Sequence, residues 1–181
     1  LTPDLALGNW THLLSSSFFW DAYLYTFWVA ALSAVLASVL ALPVSYALAR
    51  KVSPRLQRLA ILLLIVTFFT SYPVRTYAWQ IVFSPSGILN SLLALIGVEP
   101  ILILNTTSAT VVGFLTLTMP LVILIQTFAI ASVDQRLIEA AYNLGCSHGR
   151  TLFTVLFPSA RIGLILAGTF AFVLSFGDYI S

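Results

Sequence analysis

Four long apolar runs dominate this chain and limit what it can become. They lie at about 24–48, 59–83, 107–131 and 162–181. The first and third carry no charge, the second carries only Arg75, and the fourth carries only Asp178. About 20 apolar residues, rising ~1.5 Å each, cross the hydrocarbon of a bilayer. Inside lipid every backbone polar group needs an internal partner, so runs of this kind are helices. A transmembrane barrel would need alternating segments of about ten residues, and these runs do not alternate. The expected fold class is therefore an all-α membrane protein, a polytopic helical bundle.

Composition closes off the other classes. Hydrophobic residues make up 60% of the 181 and charged residues 8%, where a soluble domain carries about 25% charge. With a mean hydropathy of +1.02, too little polar surface exists for a water-facing enzyme or a disordered tail. A net charge of +2 makes no basic patch, so no nucleic acid is expected as a partner. The single cysteine, Cys146, and the two histidines, His12 and His148, build neither a disulfide framework nor a metal centre. No Gly-x-x-x-x-Gly-Lys-Ser/Thr loop is present to cradle phosphates, so the chain is expected to hold no cofactor of its own.

Charge also orients the bundle. Arg50, Lys51, Arg55 and Arg58 follow the first run, and Arg136, Arg150 and Arg161 lie between the third and fourth. By the positive-inside rule, 49–58 and 132–161 face the cytoplasm. Residues 84–106 and both chain ends then face outward. Residues 1–20 have no basic n-region and are not expected to be a signal peptide. They read as an outer loop entering a span, which implies an earlier span and a transmembrane domain incomplete at one or both ends of 1–181. In the outer segment, Ser86 is placed to cap a short helix over Ile88 to Ile96, with Gly97 as its stop. Pro43, Pro73 and Pro120 fall inside spans and are expected to kink them.

The inner segment from Ser132 to Arg161 is long for a plain connection. Ser132 and Gln135 have capping-box spacing, and Asp134 suits a helix start. A helix is expected through Leu144, with Leu137, Ile138, Ala141 and Leu144 forming one apolar stripe. Gly145 suits a left-handed cap. Ser147 then starts a second helix that Pro158 stops. His148, Arg150 and Cys146 receive no special chemistry.

These residues resemble the EAA signature of permease subunits in bacterial type I ABC importers. Glu139-Ala140-Ala141 is followed by three residues, then Gly145, then nine residues, then Val155-Leu156-Phe157-Pro158. Val and Phe stand where that family has Ile and Leu, and every spacing holds. Arg75-Thr76-Tyr77-Ala78-Trp79 and Ser175-Phe176-Gly177-Asp178-Tyr179-Ile180-Ser181 look like the spermidine/putrescine branch. The resemblance implies spans two to five of six in a bacterial inner-membrane permease. It also implies two ATPase subunits that hold ATP and magnesium, a second permease, identical or paralogous, and a soluble substrate-binding protein outside. Glu139, Ala140, Ala141, Gly145 and Pro158 would then couple to the ATPase. The small-molecule substrate implied is a polyamine.

Particular side chains carry open alternatives. Glu139 is either a coupling contact or a solvated surface charge. Asp178 lies ~26 Å up a helix from Arg161; it is either a ligand for an ammonium group, with Tyr179 and Phe176 beside it, or a hydrated carboxylate at the outer interface. Arg75 is expected close to the outer surface, either anchored among aromatic residues such as Tyr77 and Trp79 or paired with an acid such as Asp178. The rival functions are the same subunit with another solute, a small free-standing transporter or scaffold, and an intramembrane enzyme. The last would need convergent catalytic groups that Arg75 and Asp178 do not supply.

Overall fold

The structure, a computed structural model, describes residues 14–178 except Ile96, Asn105 and the side chain of Tyr72. Its elements are α1 (Ser17–Arg50), α2 (Pro54–Phe69), α3 (Tyr72–Phe83), α4 (Ile88–Leu95), α5 (Thr107–Ala131), α6 (Gln135–Asn143), α7 (His148–Thr151) and α8 (Phe157–Phe176). A π-helical turn, Leu152–Leu156, joins α7 to α8. No strand occurs among the described residues. Four helical stretches are long and apolar enough to cross a membrane: Ser17–Arg50, Pro73–Leu95, Thr107–Ala131 and His148–Phe176.

Helices α1, α5 and α8 form the packed body. Lipid offers no hydrophobic drive between helices, so close backbone approach through small side chains supplies the attraction. Accordingly α1 buries Ala30, Ser33, Ala34, Ala37, Ala41 and Ser45 along one stripe, and α8 buries Ala160, Ala167, Ala171 and Ser175. Val122 and Ile123 of α5 fill the space between Ala37, Ala41, Ala167 and Ala171. A methyl group at Gly163 of α8 would overlap the Cβ of Ala129 on α5, so only glycine lets these two helices meet there. Two polar ties cross the body. Gln126 Nε2 donates to the carbonyl of Ser38 at 3.0 Å, and Ser45 Oγ donates to that of Ile123 at 3.3 Å.

Side-chain pairs fix the directions. Tyr25 and Thr107 share a hydrogen bond at one end of α1 and α5, while Arg50 reaches Ile130 at the other. The two helices therefore run parallel. Phe176 packs on Tyr23, so α8 runs back the opposite way. The two basic segments, 49–58 and 132–161, consequently lie at the same end of the body.

Three expectations are corrected. The run at 59–83 is not one helix: α2 ends at Phe69, and Thr70 and Ser71 adopt extended ψ values of 138° and 124° before α3 begins. Pro73 is the cause, since it fits the first turn of a new helix but not the interior of a continuing one. The 16 residues of α2 reach only ~24 Å, short of a full crossing. The chain returns to the outer end of α5 through α2, α3 and α4 together. Second, Pro158 stops nothing. It stands in the first turn of α8, and the preceding π turn widens the helix, with the N–H of Phe157 donating to the carbonyl of Leu152. The extra residue relieves the clash a proline ring makes with the preceding turn. The second inner helix therefore runs on into the last span. Third, Ser132 and Gln135 form no capping box. Asp134 is the cap, its Oδ1 accepting the N–H of Arg136 at 2.9 Å, while Ser132 Oγ donates to the carbonyl of Ala129.

The outer segment follows expectation more closely. Helix α4 spans Ile88–Leu95, and Gly97 has φ +75°. Buried Asn90 ties this helix to the chain beyond it: Nδ2 donates to the carbonyls of Ser84 and Ile101, and Oδ1 accepts the N–H of Ile101 at 2.9 Å.

Candidate functional site

The inner end of the body carries a helix-turn-helix built from α6, a tight turn and α7. Gly145 has φ +80°, a conformation in which a Cβ is strained. The N–H groups of Leu144, Gly145 and Cys146 donate to the carbonyls of Ala140, Tyr142 and Ala141, closing the end of α6. Ser147 Oγ accepts the N–H of Arg150 and opens α7. Ile138 and Ala141 turn into the body, where Ile138 packs with Ile130, Val133, Leu156 and Ala160. Glu139, Ala140 and Gly145 face outward, and Pro158 is exposed on the first turn of α8. The apolar stripe is split: Leu137 and Leu144 are exposed, Leu144 by 84%, and Phe153 nearby is exposed by 72%. A short helix thus presents one carboxylate among uncovered apolar side chains.

Helix α1 is fastened to this loop by residues that sequence reasoning passed over. Arg50 Nη2 donates to the carbonyls of Ile130 at 2.8 Å and Val133 at 2.6 Å, and Nη1 donates to Gln135 Oε1 at 3.0 Å. The guanidinium fork thereby ties α1 to the end of α5 and to the linker behind it, sharing the Ile130 carbonyl with the N–H of Val133. His148 stands between two tyrosines, with Tyr46 Oη 3.1 Å from Nε2 and Tyr142 Oη 2.8 Å from Nδ1. The rings of Tyr142 and His148 stack at 10°. Lys51 Nζ lies 5.4 Å from the Tyr46 ring centre, within cation–π range. An arginine closing a long apolar run is the one local sign of this contact, and it does not say which carbonyls the side chain meets.

The proposed pathway residues fall into two groups. On α3, Arg75 donates from Nη2 to the carbonyls of Thr67 (2.6 Å) and Thr70 (3.2 Å), and from Nη1 to that of Thr116 (3.1 Å). Thr116 is four residues before Pro120, whose missing N–H leaves that carbonyl free. Arg75 therefore stands level with Thr116, nine residues into α5 and ~14 Å below its outer end. Trp79 stacks on Phe83 at 5.0 Å. Tyr77 is exposed and lines a cavity of about 360 Å³ with Gln80, Ile81, Ser84 and Ile88.

The second group lies at the outer end of α8. Phe176 packs against Tyr23, Phe27 and Phe172 at ring distances of 5.7, 6.3 and 5.5 Å. It lines a cavity of about 210 Å³ with Phe19, Ala22, Tyr23 and Thr26. Asp178 is half-buried just past Gly177, which closes α8. Tyr179 lies outside the described residues. The contribution of Tyr23 and Phe27 to this aromatic group was not foreseen. No group of three or more His, Cys, Asp or Glu suited to a metal ion occurs among the described residues.

The chain is thus a bundle of helices, four of its stretches long and apolar enough to cross a membrane, with a helix-turn-helix at its basic end. Residues 37–181 match the family of binding-protein-dependent transport system inner membrane components, and this chain belongs to that family. Among its relatives is the spermidine/putrescine transport system permease protein PotB of Haemophilus influenzae, 31% identical over 89% of this chain and 56% of that one. PotB of Escherichia coli is 32% identical over 88% of this chain and 58% of that one. The inner membrane ABC transporter permease protein YdcU of Escherichia coli is 28% identical over 99% and 61%. The chain thus spans a little over half the length of these relatives. The fold is also that of a bacterial ABC transporter involved in the import of the acidic polysaccharide alginate, with a TM-score of 0.77 at 16% identity over 97% of this chain and 64% of that one.

Proposed function

We propose that this chain forms half of the translocation pathway of an ATP-driven importer for a polyamine. The observation that carries the proposal is the loop at 132–161. Its EAA spacing folds into a capped, glycine-turned helix pair with Glu139 outward and Ile138 and Ala141 packed inward. That is the shape needed to seat in a cleft of a separate motor and push on the body behind it. Glu139, Ala140 and the exposed Leu144 make the contact. Gly145 holds the turn, and Pro158 with its π turn passes the loop directly into α8.

The motor is a pair of ATPase subunits, which hold the ATP and magnesium. The loops at 49–58 and 132–161 face it from the cytoplasm. A second permease completes the pathway, and a soluble binding protein delivers substrate at the outer face. Polyamine as cargo rests on the names of the PotB relatives and on chemistry at the outer end of α8. There Asp178 supplies charge, and the ring cluster about Phe176 supplies cation–π faces and apolar walls for methylene stems. Arg75 contributes by holding the broken helix, its own charge being satisfied by carbonyls.

The test begins with the tagged complex from native membranes. An ATPase that co-purifies, and spermidine uptake by proteoliposomes that requires ATP, support the reading. Uptake without any ATPase would point to the free-standing transporter instead. Uptake of a neutral solute in preference to spermidine would keep the subunit class and change the cargo.

A further inference from the structure

We infer that the inner end of α1 is a joint through which the loop drives the pathway, with Arg50 and His148 as its positioning residues. The inference rests on the proposed coupling role of the loop and adds where the motion goes next. Motion of α6 and α7 can reach the membrane by two routes. One is the covalent route, since α7 continues through the π turn into α8. The other crosses space to α1, which is separated from the loop by more than 80 residues of chain.

The second route is densely bonded. Arg50 holds the last turn of α5, the linker at Val133 and the side chain of Gln135 in the first turn of α6. Tyr46, one turn back along α1, reaches His148 at the start of α7. Tyr142, at the end of α6, bonds the other nitrogen of the same ring. A neutral imidazole has one donor and one acceptor nitrogen, and a tyrosine hydroxyl serves either. His148 therefore links both loop helices to one helix of the body.

The joint also has play. Arg50 Nε has no protein partner. A cavity of about 150 Å³, lined by Tyr46, Arg50, Gln135, Tyr142 and Thr151 among others, opens under the bonds, roomy enough to hold several waters. Bonds that span a gap can re-form as the loop tilts, whereas packed side chains would resist it. At its far end α1 carries Tyr23 and Phe27 against Phe172 and Phe176. One 34-residue helix therefore connects the loop with the outer aromatic cluster.

The experiment uses the whole transporter in proteoliposomes and measures solute imported per ATP hydrolysed. Arg50→Gln and His148→Ala are expected to lower that ratio about tenfold, within the range typical of coupling between sites, while ATP hydrolysis per assembled complex persists. Arg50→Lys restores part of it, and Tyr142→Phe, which removes one hydroxyl, gives a milder loss. Maleimide labelling of Cys146, the single cysteine of this chain, is expected to quicken several-fold in the uncoupled variants as the loop loosens. An unchanged ratio with quickened labelling overturns the joint and leaves the proposed function standing. Uptake and hydrolysis falling in step overturns it too, because it reduces Arg50 and His148 to holding the fold. A wild-type complex lacking any ATPase overturns the proposed function, and the joint with it.

Discussion

Glu139 and Ala141 sit two positions apart on α6 and face opposite ways, one into solvent and the other into the body. That division separates two effects that a mutation series can resolve. Glu139→Lys reverses an exposed charge, which within the chain alone changes little. At a docked interface, truncating or reversing one charge costs far more, because its partner is left unpaired. The variant is therefore expected to fold and assemble, and to lose tenfold or more in ATP-driven uptake. Wild-type uptake by the variant, measured in proteoliposomes, rejects a coupling contact at this position. Asp178→Asn poses the matching question at the outer end. It keeps the size and one acceptor oxygen, turns the other into an NH2 donor, and removes the charge an ammonium group needs. Spermidine uptake is expected to show a rise in KM of about tenfold with assembly intact, the size of effect a lost charge-assisted contact gives. An unchanged KM removes Asp178 from the pathway. Both residues stood out in the sequence, Glu139 by the EAA spacing and Asp178 as a lone carboxylate in an apolar run. Arg50, Tyr46, Tyr142 and His148 did not, because their bonds join segments far apart in the chain, and no local pattern encodes such a meeting.

At the scale of elements, the apolar runs gave the helices, and glycine gave the turns at Gly97 and Gly145, where φ is positive. The break between α2 and α3 was expected only as a kink at Pro73, although Thr70, Ser71 and Tyr72 already interrupt the apolar run there. Pro73, and a charge at Arg75 with no carboxylate near it in sequence, also marked the site. The structure shows why the break needs that charge. Thr70 ends α2 and Pro120 frees the carbonyl of Thr116; Arg75 donates to both, and adds a second donor to the Thr67 carbonyl, which already takes the N–H of Thr70. Arg75→Met keeps the stem and removes the donors, orphaning carbonyls at ~1–3 kcal/mol each. The expected outcome is a transition midpoint several degrees lower in detergent, with the body of α1, α5 and α8 still helical by circular dichroism. An unshifted midpoint shows that water or lipid headgroups serve those carbonyls equally well. The α5–α8 contact gives the opposite kind of test. Gly163→Val forces side-chain atoms into Ala129, an overpacking worth ~1–3 kcal/mol. Gly163→Val combined with Ala129→Gly is expected to recover much of that loss, since the space vacated lies at the overlap.

For the whole molecule, charge asymmetry and geometry meet in one arrangement. The directions of α1, α5 and α8 follow from Tyr25 with Thr107, Arg50 with Ile130, and Phe176 with Tyr23, none of which involves a membrane. The positive-inside rule concerns only how Lys and Arg distribute across a bilayer. These separate lines put 49–58 and 132–161 at one end, and seven of the eight Lys and Arg of the chain with them. Depth completes the picture. The loop lies at the basic end, Arg75 near the middle, and Asp178 with the aromatic rings at the far end. On the proposed roles, the motor contact and the substrate contact are held apart by the length of α1, which calls for mechanical rather than local coupling. Sidedness is the arrangement's exposed joint, and Cys146 reports it directly. A membrane-impermeant maleimide should label Cys146 in inverted vesicles and leave it untouched in right-side-out spheroplasts. Labelling from the outer face would turn the bundle over, place the helix-turn-helix where no ATP-driven motor can reach it, and leave the EAA spacing without a partner to grip.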